Sequence, residues 1–215
     1  TILRKEKIYK EIETPGFKKT LMPFQKQGVG FLAEKNGRGL IGDEMGLGKT
    51  VQAVAYLQAF PKIRPALVIC PKSAIGTWER EINECMSENK TIYILTGKTI
   101  KEISPADIYI INYDILSSWI DALLDMPFEL IVMDECHRVK SRKTQRTIAV
   151  QAIGKKTERI IGLTGTPIQS RPLEIYNAIS LINPTLFPNF FGFAKRYCNA
   201  KQSKWGWDFT GSSNT

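Results

Sequence analysis

Gly46-Leu47-Gly48-Lys49-Thr50 is the group of residues in this sequence best suited to hold a phosphate chain. Glycines at 46 and 48 let backbone N–H groups turn toward an anion with no Cβ in the way, and a helix N-terminus behind them adds its positive dipole end. Lys49 would reach the β and γ phosphates of a nucleotide, and the Thr50 hydroxyl would ligate magnesium. The full pattern G-x-x-x-x-G-K-[ST] wants glycine where this chain has Asp43, so the match is partial. A Gly-rich loop that caps a helix and binds nothing is the alternative.

The second chemical group is Asp134-Glu135, delivered by the apolar run 130–133. Adjacent acids on a strand alternate direction and can take different jobs. Asp134 can hold magnesium, usually through its water shell, while Glu135 orients and deprotonates the water that attacks a γ-phosphate. Alone, such a pair is a solvated turn or a helix cap; the phosphate loop upstream gives it a chemical reading. His137 is the single histidine, and a lone histidine is ordinarily structural. Thr164-Gly165-Thr166-Pro167 reads by itself as a turn.

These groups need a scaffold that gathers them. The short run 39–41 precedes the loop as a strand, and Val51, Ala53, Val54, Leu57 and Phe60 follow it with helical spacing. Continuous apolar runs at 66–70, 92–95, 108–111, 130–133 and 159–163 have the pattern of strands buried on both faces of a parallel sheet. Helix-like stretches at 75–86, 114–124, 144–153 and 173–181 alternate with them. The expectation is an α/β three-layer domain with a mainly parallel central sheet, ligands sitting at the carboxyl ends of its strands. Pro23 suits the first turn of a helix opening near residue 21, and residues 1–19 read as a linker or short edge strand closing on the turn Thr14-Pro15-Gly16. Gln25 carries an amide able to read an adenine edge, or is simply solvated.

Lys and Arg number 30 against 21 acidic residues, a formal charge of +9 that favours a polyanionic partner such as nucleic acid without choosing DNA over RNA. The densest basic stretch, Arg138, Lys140, Arg142, Lys143 and Arg146, is either a solvated helix face or a phosphate-backbone contact. Trp205 and Trp207 beside Lys201 and Lys204 would stack on bases, or pack against the lobe or against sequence missing from this chain. Four scattered cysteines with no C-x-x-C pair suggest neither a disulfide framework nor a zinc site. No apolar run is long enough to span a bilayer and the start is charged, so no membrane role and an intracellular setting are expected. The non-Met start and polar end suggest a fragment.

The phosphate loop, Asp134-Glu135-Cys136-His137 and Thr164-Gly165-Thr166-Pro167, in that order, resemble the first RecA-like lobe of superfamily 2 helicases. The wording Asp43-Glu44-Met45-Gly46-Leu47-Gly48-Lys49-Thr50 narrows the resemblance to the Swi/Snf-type helicase-related ATPases, whose loop commonly begins with Asp. Phe187, Phe193, Arg196-Tyr197-Cys198 and the tail from Trp205 look most like the HARP-like annealing helicases, which remodel stalled forks.

The resemblance implies a RecA-like ATP-binding lobe over 21–185, an extension over 1–20, and a helical, aromatic segment over 186–215 leading to a second RecA-like lobe of the same polypeptide. It implies ATP and Mg2+ held by Gln25, Asp43, Gly46, Gly48, Lys49, Thr50 and Asp134, with Glu135 catalytic and His137 coupling the γ-phosphate to Thr164–Pro167. Cys70-Pro71-Lys72-Ser73 with Trp78 resembles a DNA-associated motif. Lys72, Ser73, Lys140, Arg142, Lys143, Thr164 and Thr166 are therefore the expected nucleic-acid contacts, on double-stranded or forked DNA. Such families complete the site with arginines of the second lobe, so this chain alone is expected to hydrolyse ATP poorly. An RNA helicase and a DNA clamp without turnover are the alternatives, and the setting would be the nucleus of a eukaryote or the nucleoid of a bacterium.

Overall fold

In the computed structural model, residues 7–87, 90–100, 102–166, 171–204 and 206–213 are described. The chain runs α1 (Pro23–Glu34), β1 (Arg38–Ile41), α2 (Lys49–Ala59), β2 (Ala66–Cys70), α3 (Ile75–Cys85), β3 (Ile92–Ile94), β4 (Ile108–Asn112), α4 (Ile120–Leu124) and β5 (Leu130–Asp134). It continues through α5 (Gln145–Lys156), β6 (Arg159–Leu163), α6 (Leu173–Ile182), α7 (Phe190–Tyr197), β7 (Lys201–Ser203) and β8 (Gly206–Asp208). The first six strands form one parallel sheet in the order β1-β6-β5-β2-β4-β3.

All five residues of β2, β4 and β5 are buried, which is why their sequences are apolar runs up to the terminal Asn112 of β4 and Asp134 of β5. Side chains alternate across the pleat, so the runs divide between two cores. Val68, Cys70, Ile110, Val132 and Ile161 join Val54 and Leu57 of α2 and Trp78 and Ile82 of α3. Leu67, Ile69, Ile111, Ile131, Met133 and Ile160 join residues of α5, α6 and α7 on the opposite face. Each such large side chain contributes about 1.5–3 kcal/mol on burial. Phe193, Ala194 and Cys198 belong to that second core, so α7 extends the domain without a break in packing.

One expectation is revised and one is narrowed. The stretch 114–124 is not one helix but a 3-10 turn, Leu116–Ser118, followed by the five-residue α4. Asn112 Oδ1 accepts the Asp114 N–H at 3.0 Å, closing a turn, and buried Trp119 donates its indole N–H to the Gly97 carbonyl at 2.9 Å. Local hydrogen bonding and one large core ring thus override the helical spacing. Residues 7–20 form no strand: the Gln27 amide pairs with the backbone N–H and C=O of Tyr9, and Gln58 holds the Pro15 carbonyl at 2.8 Å. Pro167 and Trp205 lie outside the described residues, and among the described residues no helix is long and apolar enough to cross a membrane.

Candidate active site

The loop between β1 and α2 turns on two glycines with positive φ, +84° at Gly46 and +72° at Gly48, a region side-chain-bearing residues rarely adopt. Gly48 is the N-cap of α2, which puts Lys49 and Thr50 in the helix's first turn, where backbone N–H groups lack helical partners. Lys49 is buried and reaches back over the loop, donating to the carbonyls of Asp43 and Glu44 at 2.9 Å each. The Asp43 carboxylate is turned the other way, accepting from Gln52 Nε2 at 2.7 Å. Asp43 therefore fixes where the loop begins, and its side chain does not line the cavity. Gln52 carried no signal in the sequence beyond its apolar surroundings, yet it is the fully buried partner of the Asp43 carboxylate.

That cavity, about 280 Å³, is lined by Met45, Gly46, Gly48, Lys49, Thr50, Val51, Thr77, Glu81, Asp134 and Glu135. The phosphate loop and both acids thus meet although β1 and β5 are separated by β6, because parallel strands deliver all their carboxyl ends to one rim. Gln25 stays outside the cavity lining. Its Oε1 accepts the Met22 N–H at 2.9 Å and its Nε2 donates to the Leu47 carbonyl at 3.1 Å, tying the start of α1 to the phosphate loop.

Asp134 is the last residue of β5 and is only 9% exposed. Its Oδ2 accepts the Trp78 indole N–H at 2.9 Å and its Oδ1 the Glu135 N–H at 3.0 Å. Burial pushes the Asp134 carboxyl above the ordinary aspartate range, opposed by the Trp78 bond and the charge of Lys49. The motif expected to meet DNA thus sends its Trp78 inward: the ring is fully buried and serves the acidic pair instead. The phenol of buried Tyr113 donates to the Asp134 carbonyl at 2.8 Å, a second support for the acidic pair.

Glu135 lies in the left-handed region, φ +48°, ψ +52°, and opens a 3-10 turn over Cys136–Val139. A non-glycine residue there is held at a cost of about 1–3 kcal/mol by its surroundings. The kink places three side chains together. Glu135 Oε2 lies 3.2 Å from His137 Nδ1 and 3.3 Å from Thr164 Oγ1, and His137 Nδ1 is 3.0 Å from the same hydroxyl. Thr164 Oγ1 also accepts the Thr166 N–H at 3.2 Å. The one proton of the hydroxyl suits the carboxylate, so the hydroxyl accepts from histidine and the donor count assigns a proton to Nδ1. The link from the acidic pair to the segment after β6 is therefore a direct hydrogen-bond network.

The expected nucleic-acid contacts divide. Lys72 and Ser73 are exposed on the 3-10 turn Lys72–Ala74 just past β2, and Lys143 and Thr166 are exposed as well. Lys140 faces Glu174 at 3.5 Å. Arg142 donates to Asn177 Oδ1 at 3.1 Å and lies over the rings of Tyr176 and Phe190 at 4.7 Å each, so its charge is engaged within the domain. Thr164 is fully buried, its hydroxyl held in the Glu135–His137 network, so a nucleic-acid contact through it requires that network to open.

A family model described as "SNF2-related domain" matches residues 24–205. The bovine "SWI/SNF-related matrix-associated actin-dependent regulator of chromatin subfamily A-like protein 1" is 39% identical over 198 residues, covering 91% of this chain and 21% of that protein. The human "DNA annealing helicase and endonuclease ZRANB3" is 36% identical over 205 residues, covering 90% of this chain and 19% of that protein. The chain therefore spans about a fifth of the length of these relatives. The solved "Sulfolobus solfataricus SWI2/SNF2 ATPase core in complex with dsDNA" superposes with a TM-score of 0.78 at 28% identity, covering 89% of this chain and 42% of that one. Family match, sheet order and rim geometry agree, and the chain belongs to the SNF2-related domain family, with the RecA-like α/β fold of its ATPase core.

Proposed function

We propose that this chain is the ATP-binding lobe of a DNA-dependent ATPase that moves along or remodels double-stranded or forked DNA. The observation that carries the reading is the single cavity shared by Lys49, Thr50, Asp134 and Glu135, with Glu135 wired through Thr164 and His137 to the segment following β6. Lys49 exchanges its two loop carbonyls for nucleotide phosphates. Glu135 orients and deprotonates the attacking water, and the hydroxyl and imidazole beside it report that change of state away from the cavity. Gln25 contributes the adenine-facing amide at the start of α1 by exchanging its bonds to Met22 and Leu47 for the base edge.

The residues fit magnesium. Each Asp134 oxygen accepts one protein hydrogen bond, leaving acceptor capacity for a hard cation beside the Thr50 hydroxyl. Among the described residues no group of three or more acids, histidines or cysteines forms an all-protein cage, which suits an ion that keeps its waters and substrate oxygens. When bound, magnesium neutralises charge on the β and γ phosphates.

A second RecA-like lobe of the same polypeptide supplies arginines to the γ-phosphate, and a nuclear setting follows if the organism is eukaryotic. DNA as the track is supported by the Sulfolobus core solved with dsDNA and by the names of the relatives. Lys72, Ser73, Lys143 and Thr166 are its proposed contacts from this lobe, with Lys140 joining by exchanging Glu174 for phosphate. The test is steady-state ATP hydrolysis by this chain alone and joined to a second lobe, with no nucleic acid, duplex, forked DNA, single strands or RNA. Hydrolysis only in the joined form, raised by duplex or forked DNA, is expected. Stimulation by RNA alone, or equal turnover by the isolated lobe, would overturn the reading.

A further inference from the structure

Beyond the phosphate rim, the other end of the chain leaves large aromatic rings in water. Strands β7 and β8 form an antiparallel hairpin in which Gln202 faces Trp207, and the hairpin stands beside α7. Phe190 and Phe209 meet at 5.0 Å between ring centroids, and Phe190 packs on Tyr176 at 5.3 Å, anchoring the inner side to the domain. The outer side is open: Trp207 is 39% exposed and Phe191 47% exposed, in edge-on contact at 5.5 Å. Trp207 and Phe209 lie nearly parallel, 7° apart. The second strand of this hairpin falls past residue 205, where the family match ends.

Charge surrounds these rings. Lys195 Nζ sits 5.9 Å from the centre of the Trp207 ring, and Lys201 and Lys204 are exposed on the hairpin, against one acid in its strands, Asp208. Lysines beside half-exposed rings match a ligand that carries both flat π faces and a chain of negative charge. A duplex hides its base faces in its own stack, whereas a single strand offers them. We infer that Trp207 and Phe191, flanked by Lys195, Lys201 and Lys204, form a stacking platform for single-stranded nucleic acid. The inference rests on the DNA-motor reading, in which forked DNA presents single strands beside the duplex, and it concerns a surface distinct from the ATP cavity.

The test is fluorescence anisotropy of a dye-labelled oligothymidylate titrated with this chain without nucleotide, beside a duplex of equal length. Trp207→Ala is expected to weaken oligothymidylate binding about tenfold while moving duplex binding less than about twofold, since one lost base stack is worth roughly a decade in affinity. Trp207→Phe keeps a ring and should retain most of the affinity, which separates stacking from a damaged hairpin. Lys201→Ala with Lys204→Ala should reduce the salt dependence of the same titration. Unchanged oligothymidylate binding in Trp207→Ala, equal loss on duplex, or equal loss in Trp207→Phe would overturn the platform. DNA-stimulated ATPase of the joined form reports on the motor reading separately, so either idea can fail without the other.

Discussion

Trp78→Phe isolates the contact that holds Asp134 in place. It removes an indole N–H bonded at 2.9 Å to a carboxylate that is 9% exposed, in a ring that is itself fully buried. A hydrogen bond to a charged group is worth about 1.5–3 kcal/mol net. The smaller phenyl ring adds about 1 kcal/mol of cavity cost. A loss of about 3 kcal/mol is therefore expected, and at a slope of about 3 kcal/mol/M the urea midpoint should fall by about 1 M. Asp134→Asn removes the charge that burial disfavours in the folded state but leaves one acceptor oxygen for the Trp78 and Glu135 N–H groups, so one of those bonds is lost along with the pH dependence of this site. The sign follows from linkage: with the folded carboxyl raised, the stability from this site falls as pH rises through that raised value. In the Asn background the Trp78 bond is either neutral or lost, so Trp78→Phe should cost at least about 1 kcal/mol less there. A midpoint shift below about 0.3 M, or an undiminished cost in the Asn background, would refute the account.

Three further outcomes follow from the same coordinates. Glu135→Gln in a form carrying both lobes should keep ATP bound while slowing hydrolysis at least about a hundredfold, checked by filter binding beside phosphate release; a mutant that still turns over removes Glu135 from its role. Gly28→Ala should destabilise by about 1–2 kcal/mol in thermal melts although alanine is the better helix former, because the new Cβ would lie 1.8 Å from Gln52 Oε1 and displace the residue that holds Asp43. Burial first, then nearby Asp134 or Glu135, pushes the Cys70 and Cys136 thiols up to about 12. Only about one in ten thousand is thiolate at pH 8, so iodoacetamide should leave both unmodified until urea unfolds the chain, as peptide mass spectrometry would show.

What the sequence determined by itself is what short-range pattern encodes. Continuous apolar runs at 66–70 and 130–133 became central strands because a strand covered on both faces needs no polar side chain. Gly46 and Gly48 marked the phosphate loop because only glycine adopts its φ values freely. The order of loop, acids and Thr-Gly-Thr-Pro was legible because parallel strands bring successive loops to one rim. Tertiary structure decided which side chains serve which partner. Trp78 turned to Asp134 and Thr164 to Glu135 and His137 across 56, 29 and 27 residues of chain, contacts that no local spacing encodes. Arg142 belonged by sequence to a basic stretch, and only the packing of α6 and α7 laid its guanidinium on Tyr176 and Phe190. Helical spacing over 114–124 gave way for the same reason: the burial of Trp119 outweighs a propensity worth tenths of a kcal/mol per residue.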